Sequence, residues 1–446
     1  MKKRGTRQMR NESISETRKL LAFIENSPTA FHAAESIGRI LSEHGFRRLE
    51  ETDAWNLRPG NDYFVTRNGS SLIAFRIPDE KPEQMLLSAS HSDSPMFKLK
   101  SNYELIAFDQ YLKLDTEVYG GTILSSWLDR PLSIAGRVIL HRNGCFTAKN
   151  VCLDRDLLLI PSVAIHMNRQ CNDGMKWDAA VDPVPLFGKA DQKGTLARLI
   201  AEAVDAKPEE IAGSDLFVYN RMAGSIWGAD SEFFSAPRID NLMCAYGTLR
   251  GFCEAKLPKD SLNVYFCADN EETGSSTKQG AGSVFLSDVL DRICETLGTD
   301  KRRLLASSFM VSADNAHARH PNHPELSDPI NAPHMGDGVV IKTNAAQRYA
   351  TDGLSSAIFG EICRVANVPV QFFSNRSDLR GGSTLGSISN TLVPVSTVDI
   401  GMAQLAMHSS YETAGTADPG FLYDAMRQFY AATIRSTGDG KFSLQI

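Results

Sequence analysis

SLNVYFCADNEETG, residues 261–274, opens as a compact apolar run and closes on adjacent acids. A run of that length bounded by polar residues suits a strand buried on both faces. The arrangement recurs. QMLLSASHSDSPMFKLK (84–100) reads as a buried strand ending at His91, RLLASSFMVSADNAH (303–317) as an apolar strand followed by Asp314, and VSTVDIG (395–401) precedes His408. Helical patterns lie between and around them. IDNLMCAYGTLRGFCEAKL (239–257) puts Leu242, Tyr246, Leu249 and Cys253 on one face, and LSDVLDRICETLG (286–298) predicts a second helix. Near the start, Leu20, Leu21, Phe23 and Ile24 begin a helix that breaks at Ser27-Pro28 and resumes over AFHAAESIGRIL (30–41). Alternating strands and helices predict an α/β fold.

Between about 100 and 230 the text changes. YLKLDTEVY (111–119), LSIAGRVILHR (132–142) and DLLLIPSVAIHM (156–167) alternate or run apolar in short stretches separated by Gly, Asp and Asn, which predicts strands and turns. The division expected is a catalytic domain in two parts, 1–97 and 233–446, interrupted by a β-rich insert, 98–232.

A chain of 446 residues, 42% hydrophobic and 22% charged, has material for a large core, and nothing in its composition suggests collagen, low complexity or disorder. Its net charge of -6 gives no general reason to expect nucleic acid or an anionic membrane as partner. No run approaches the ~20 apolar residues that span a bilayer. The basic start MKKRGTRQMR is followed by acid-containing text rather than an apolar stretch, so a solvated tail is expected there, not a secretory signal. The eight cysteines form no CxxC pair, and Cys244, Cys253, Cys267 and Cys363 sit in apolar segments; reduced thiols of a cytoplasmic protein are expected.

Sites in open α/β sheets collect at the carboxyl ends of strands. His91, the pair Glu271-Glu272, Asp314 and His408 all follow strand-like runs, and Asp240 opens a helix, where it either caps N–H groups or faces the same cleft. Two histidines among carboxylates, with no thiolate, match a hydrolytic divalent-metal site better than a structural one. If one carboxylate bridges, the set suffices for two metals, which polarise a carbonyl and activate water. Asp93, two residues beyond His91, has the spacing to orient its imidazole. Glu271 and Glu272 are expected to point apart on an extended chain, one toward metal and one toward water.

The ordered stretches FIENSPTAFHA, SASHSDSP, SSWLDRPLSIAGRV, IPSVAIHMNR, RIDNL, DNEETGS, SADNAHARHPNHPE, IKTNAAQRYAT, GGSTLGSI and AMHSS resemble, almost end to end, the aspartyl aminopeptidases and the related vacuolar aminopeptidase I. The resemblance implies a mixed-sheet catalytic domain with helices on both faces and an insert that serves dimerisation. It implies that His91, Asp240 and Asp314 bind one zinc and Asp240, Glu272 and His408 the other, Glu271 being the general base. It also implies a cis peptide after Asp240. Cobalt or manganese can substitute for zinc in such ligand sets.

By the same resemblance Lys342 and Tyr349 face an acidic first residue of a peptide substrate, and the Gly381-Gly382-Ser383-Thr384 turn is a backbone platform near its amine. His166 reaches a neighbouring subunit's site to stabilise the oxyanion; from the residues alone it reads as a histidine buried beside Ile165. A homo-oligomer is implied, dimers assembling into a tetrahedral dodecamer. Of His317, His320 and His323, interrupted by Pro321 and Pro324, no metal tripod is expected, and His320 is the one placed to touch substrate. Asp129 and Arg130 are assigned to the insert and its interface. Three rivals stay open: a broad or neutral-preferring aminopeptidase, a metal-dependent amidohydrolase acting on acylated amino acids, and a silent scaffold.

Overall fold

The computed structural model describes residues 2–379 and 381–446, with side chains from residue 11 onward. Its main sheet has nine strands, in the order Arg47–Leu49, Asp62–Arg67, Ser71–Arg76, Ser261–Ala268, Gln84–His91, Phe309–Ala313, Ser396–Gly401, Val339–Thr343 and Val370–Ser374. The four strands at its centre, from Ser261–Ala268 to Ser396–Gly401, run parallel. Their carboxyl ends therefore open on one edge.

These strands are buried without alternation because both faces are covered. Side chains alternate across the sheet: Leu86, Tyr265, Val311 and Val398 pack with the helices Ala30–Glu43, Ile239–Glu254, Gly353–Val365 and Asp418–Ala431. Met85, Leu87, Val264, Phe266 and Met310 face the other way, onto Phe285–Leu297 and Lys301–Ala306. The fold is thus a mixed sheet with helices on both faces.

A six-stranded antiparallel sheet is built from residues 96–220, in the order Cys145–Cys152, Leu132–Arg142, Ile211–Asn220, Met96–Ala107, Tyr111–Tyr119 and Leu186–Lys189. It has its own apolar core, closed by the helix Thr195–Ala203. A five-stranded sheet, including Ala403–Leu405 and Glu412–Gly415, carries the loop of His408.

Three local expectations are corrected. Residues 301–306 form a helix, so in RLLASSFMVSA only Phe309–Ala313 is strand; Asp300 caps that helix by accepting from the amides of Arg302 and Arg303. DLLLIPSVAIHM makes only isolated bridges, at Leu158, Leu159 and Ile160, before Pro161 ends the pairing. The first helix spans Lys2–Glu25, so the backbone of the basic start forms one continuous helix with residues 11–25 and is no tail. All eight cysteines are free. Among the described residues no helix is long and apolar enough to cross a membrane.

Candidate metal centre

His91 is the last residue of Gln84–His91, and Asp314 follows Phe309–Ala313 directly, so parallel pairing sets both at the same sheet edge. Glu271 and Glu272 follow Ser261–Ala268 after Asn270, which takes a left-handed conformation and turns the chain into a 3₁₀ turn, Glu271–Thr273. The two acids therefore leave a turn, and the extended chain expected for them is absent. Asp240 lies at the start of Ile239–Glu254 with non-helical dihedrals, followed by a cis peptide to Asn241; it caps nothing, and its carboxylate faces the cleft. Close packing behind Asp314 requires Gly401, since a Cβ there would lie 2.0 Å from the Asp314 carbonyl oxygen. Gly401→Ala is expected to cost about 1–3 kcal/mol of stability and to weaken zinc binding, measured by thermal melts and metal content.

The two oxygens of Asp240 face different imidazoles. Its Oδ1 lies 3.6 Å from His91 Nε2, and its Oδ2 lies 3.6 Å from His408 Nε2. His91 Nε2 is also 3.8 Å from Asp314 Oδ1, and His408 Nε2 is 3.3 Å from Glu272 Oε2. The three longer separations exceed hydrogen-bond length. They fit instead the edges of a metal polyhedron: ligands ~2.0–2.1 Å from one zinc at tetrahedral angles sit about 3.3 Å apart. His91, Asp240 and Glu272 offer ligand atoms all within 4.8 Å of one another, and both Asp240 Oδ1 and Glu272 Oε1 are buried without a hydrogen-bond partner. A buried acceptor left unpaired is costly unless a cation meets it, so the set suits divalent metal.

The electrostatics agree. Burial pushes the Glu271 carboxyl up to about 8, with Asp314, Asp93 and Asp240 adding repulsion against the opposing pull of His91. Glu272 is raised well above its ordinary range by burial, then by Asp240. Burial alone would lower the His408 imidazole, but Asp240 and Glu272 carry it up to about 10. Burial would raise Asp314, yet Lys342 and His91 outweigh it and hold the carboxyl at about 2. Accumulated negative charge of this kind is what bound cations neutralise.

The ligand candidates are held from behind. His91 Nδ1 faces the Asp93 carbonyl oxygen at 3.0 Å and its Oδ1 at 3.4 Å, leaving Nε2 toward Asp240. Asp93 also accepts from the amides of Glu271 (3.1 Å) and Glu272 (3.2 Å) and from the Tyr119 hydroxyl (2.6 Å). Buried Glu412 accepts from the amides of Asp240 (2.9 Å) and His408 (2.8 Å). Tyr119 and Glu412 escaped the sequence reading, because the contacts of Tyr119 with Asp93 and of Glu412 with Asp240 join distant parts of the chain and no spacing pattern marks them.

Lys342, 2% exposed, donates from Nζ to the Asp314 carbonyl oxygen at 2.7 Å, lies 3.6 Å from Asp314 Oδ2 and sits 5.1 Å from the centre of the Tyr349 ring. His320 is exposed and contacts its own loop, accepting from the Asn322 amide and lying beside His323. His317 keeps an exposed edge but packs edge-on against Phe373, with its imidazole pushed down by burial while Asp240 opposes the shift. Gly382 is exposed with open space around it, and the crowded member of its turn is Gly381, where a Cβ would stand 2.5 Å from Asn375 Oδ1. His166 is exposed, as is Ile165, so the two are not buried together; Asp129 nearby accepts from Ser162 at its amide and hydroxyl. Arg130 donates to the Ser126 carbonyl within the same region.

Residues 23–430 match the family model described as Aminopeptidase I zinc metalloprotease (M18). The chain is 43% identical over 433 residues to a probable M18 family aminopeptidase 2 of Clostridium acetobutylicum, covering 95% of this chain and all of that one. The fold superposes with TM-score 0.91 on a chain of the Ape4 and Nbr1 complex, at 33% identity and covering 94% of this chain and 86% of that chain. It superposes with TM-score 0.83 on the S. cerevisiae mApe1 dodecamer, at 25% identity and covering 94% and 97%. The chain belongs to the M18 family of zinc metallo-aminopeptidases.

Proposed function

We propose that this protein is a two-zinc aminopeptidase that removes the N-terminal residue of peptides, preferring Asp or Glu. The observation that carries the reading is Asp240, whose two carboxylate oxygens each face a different histidine. His91 and Asp314 would complete one metal position, Glu272 and His408 the other, with Asp240 shared. Two metals held there would supply Lewis acidity to the scissile carbonyl and would lower the pKa of the attacking water. The chain's residues do the rest. Glu271 accepts the proton of the attacking water at its carboxylate and returns it to the leaving amine. Asp93 keeps His91 in the tautomer that presents Nε2.

In this reading His166, reaching across from a second copy, stabilises the oxyanion. Its stretch also exposes Val163, Ile165 and Met167, the last 83% exposed, which suits a segment that meets another subunit. We take the insert 98–232 as a dimerisation unit and the assembly as a tetrahedral dodecamer; a dodecamer is the state named for the yeast relative. If folded monomers or dimers, separated by dilution, keep full turnover, His166 has no such role. The free thiols fit a reducing compartment, and we place the enzyme in the cytoplasm.

Lys342 and Tyr349 would meet the first residue's acidic side chain, with Gly382 near its amine and His320 on the rim. A second reading, preference for neutral residues, draws on one observation: the Lys342 ammonium already donates to the Asp314 backbone and lies near its carboxylate. Peptides beginning with Asp, Glu and Leu, assayed with zinc, cobalt and manganese each restored to apoprotein, decide between them. Higher kcat/KM for Asp and Glu is expected; equal or lower values favour the neutral reading. Lys342→Leu is expected to reduce the Glu-over-Leu ratio by about 10- to 100-fold, the worth of a hydrogen bond to a charged group. An unchanged ratio removes Lys342 from specificity.

A further inference from the structure

The strand Tyr111–Tyr119 belongs to the six-stranded sheet, yet its last residue and the next three run along the outer side of the metal centre. The Tyr119 hydroxyl donates to Asp93 Oδ2 at 2.6 Å and accepts from Asn270 Nδ2 at 2.8 Å. Gly120, at φ +73, passes so near Glu272 that a Cβ would stand 3.1 Å from the glutamate's own Cβ. The carbonyl of Gly121 lies 3.1 Å from His408 Nδ1, and the Thr122 hydroxyl donates to the His408 carbonyl at 3.2 Å. Ile123 adds its amide to the same carbonyl at 3.0 Å, and Trp127 Nε1 holds Thr122 Oγ1 at 2.7 Å.

A ligating imidazole needs its other nitrogen occupied by an acceptor, which fixes ring orientation and keeps the ligating nitrogen unprotonated. Here both histidines receive that service from positions tied to one short strap. His408 has it directly from Gly121; His91 has it from the Asp93 carbonyl, with Asp93 Oδ1 3.4 Å away and the Oδ2 of that carboxylate held by Tyr119. Glu272 is pressed from the same side by Gly120. The strap is also the direct covalent continuation of a sheet that carries none of the ligand candidates.

We propose that Tyr119–Thr122 is a positioning strap that sets both metal positions at once and so ties metal retention to the seating of the six-stranded sheet. Tyr119 and Thr122 act through Asp93 and His408 and are positioning residues. The inference rests on the two-zinc reading.

Tyr119→Phe and Thr122→Val are tested as full chains for zinc affinity, by competition with a chelator, and for kcat and KM. Each is expected to weaken zinc binding by about 10- to 100-fold. With zinc saturating, kcat is expected to fall while KM for the peptide stays within about twofold. Wild-type zinc affinity in both variants overturns the strap. Hydrogen exchange on the unaltered protein gives a measurement independent of folding in the variants: zinc loading is expected to slow exchange at the Ile123 amide, and an equal rate with and without zinc likewise overturns it. Failure of the two-zinc reading is distinguishable, because it requires that the unaltered chain take up fewer than two zincs.

Discussion

Glu271→Gln is expected to bind zinc as tightly as the unaltered enzyme and to lose about 10²- to 10⁴-fold in kcat, the range of general acid–base contributions. The amide keeps the shape of the carboxylate but takes no proton from water. Its backbone position does not depend on the side chain, since the Glu271 amide is held by Asp93. KM for the peptide is expected to change little, because the group acts in the transition state and not in binding. Kinetics combined with metal analysis checks this. Full activity in the variant assigns the proton transfer to another residue, and loss of zinc assigns Glu271 to metal binding.

Asp240→Asn is the second large effect. It keeps the volume but removes the charge through which one side chain serves both histidines, so binding is expected to fall below one zinc per chain and activity to background. The loss should exceed the 10- to 100-fold change typical of groups that only support a ligand. Metal analysis of the purified variant checks this, and a variant that still holds two zincs would contradict the assignment.

Much of this molecule was legible because its central strands are buried on both faces. Gln84–His91, Ser261–Ala268, Phe309–Ala313 and Ser396–Gly401 are buried along nearly their whole length, so their compact apolar stretches stand out, and parallel pairing brings their last residues to one edge. The direction of Asp240 was not legible, since a residue opening a helix is ordinarily a cap. DLLLIPSVAIHM misled for the opposite reason: its apolar residues lie ahead of and beyond Pro161 in irregular chain. Within SADNAHARHPNHPE, spacing could not tell that His317 would enter a short strand beside Phe373 while His320 stayed outside. Tyr119, Gly121 and Glu412 were invisible because each acts on a residue brought near only by tertiary packing.

Two cations are expected to share Asp240, and anomalous diffraction from zinc-loaded crystals at the zinc absorption edge tests that most directly. Two peaks about 3.5–4 Å apart are expected, one against His91 and Asp314, the other against Glu272 and His408, with Asp240 between them. A single peak, or zinc bound away from Asp240, would contradict it.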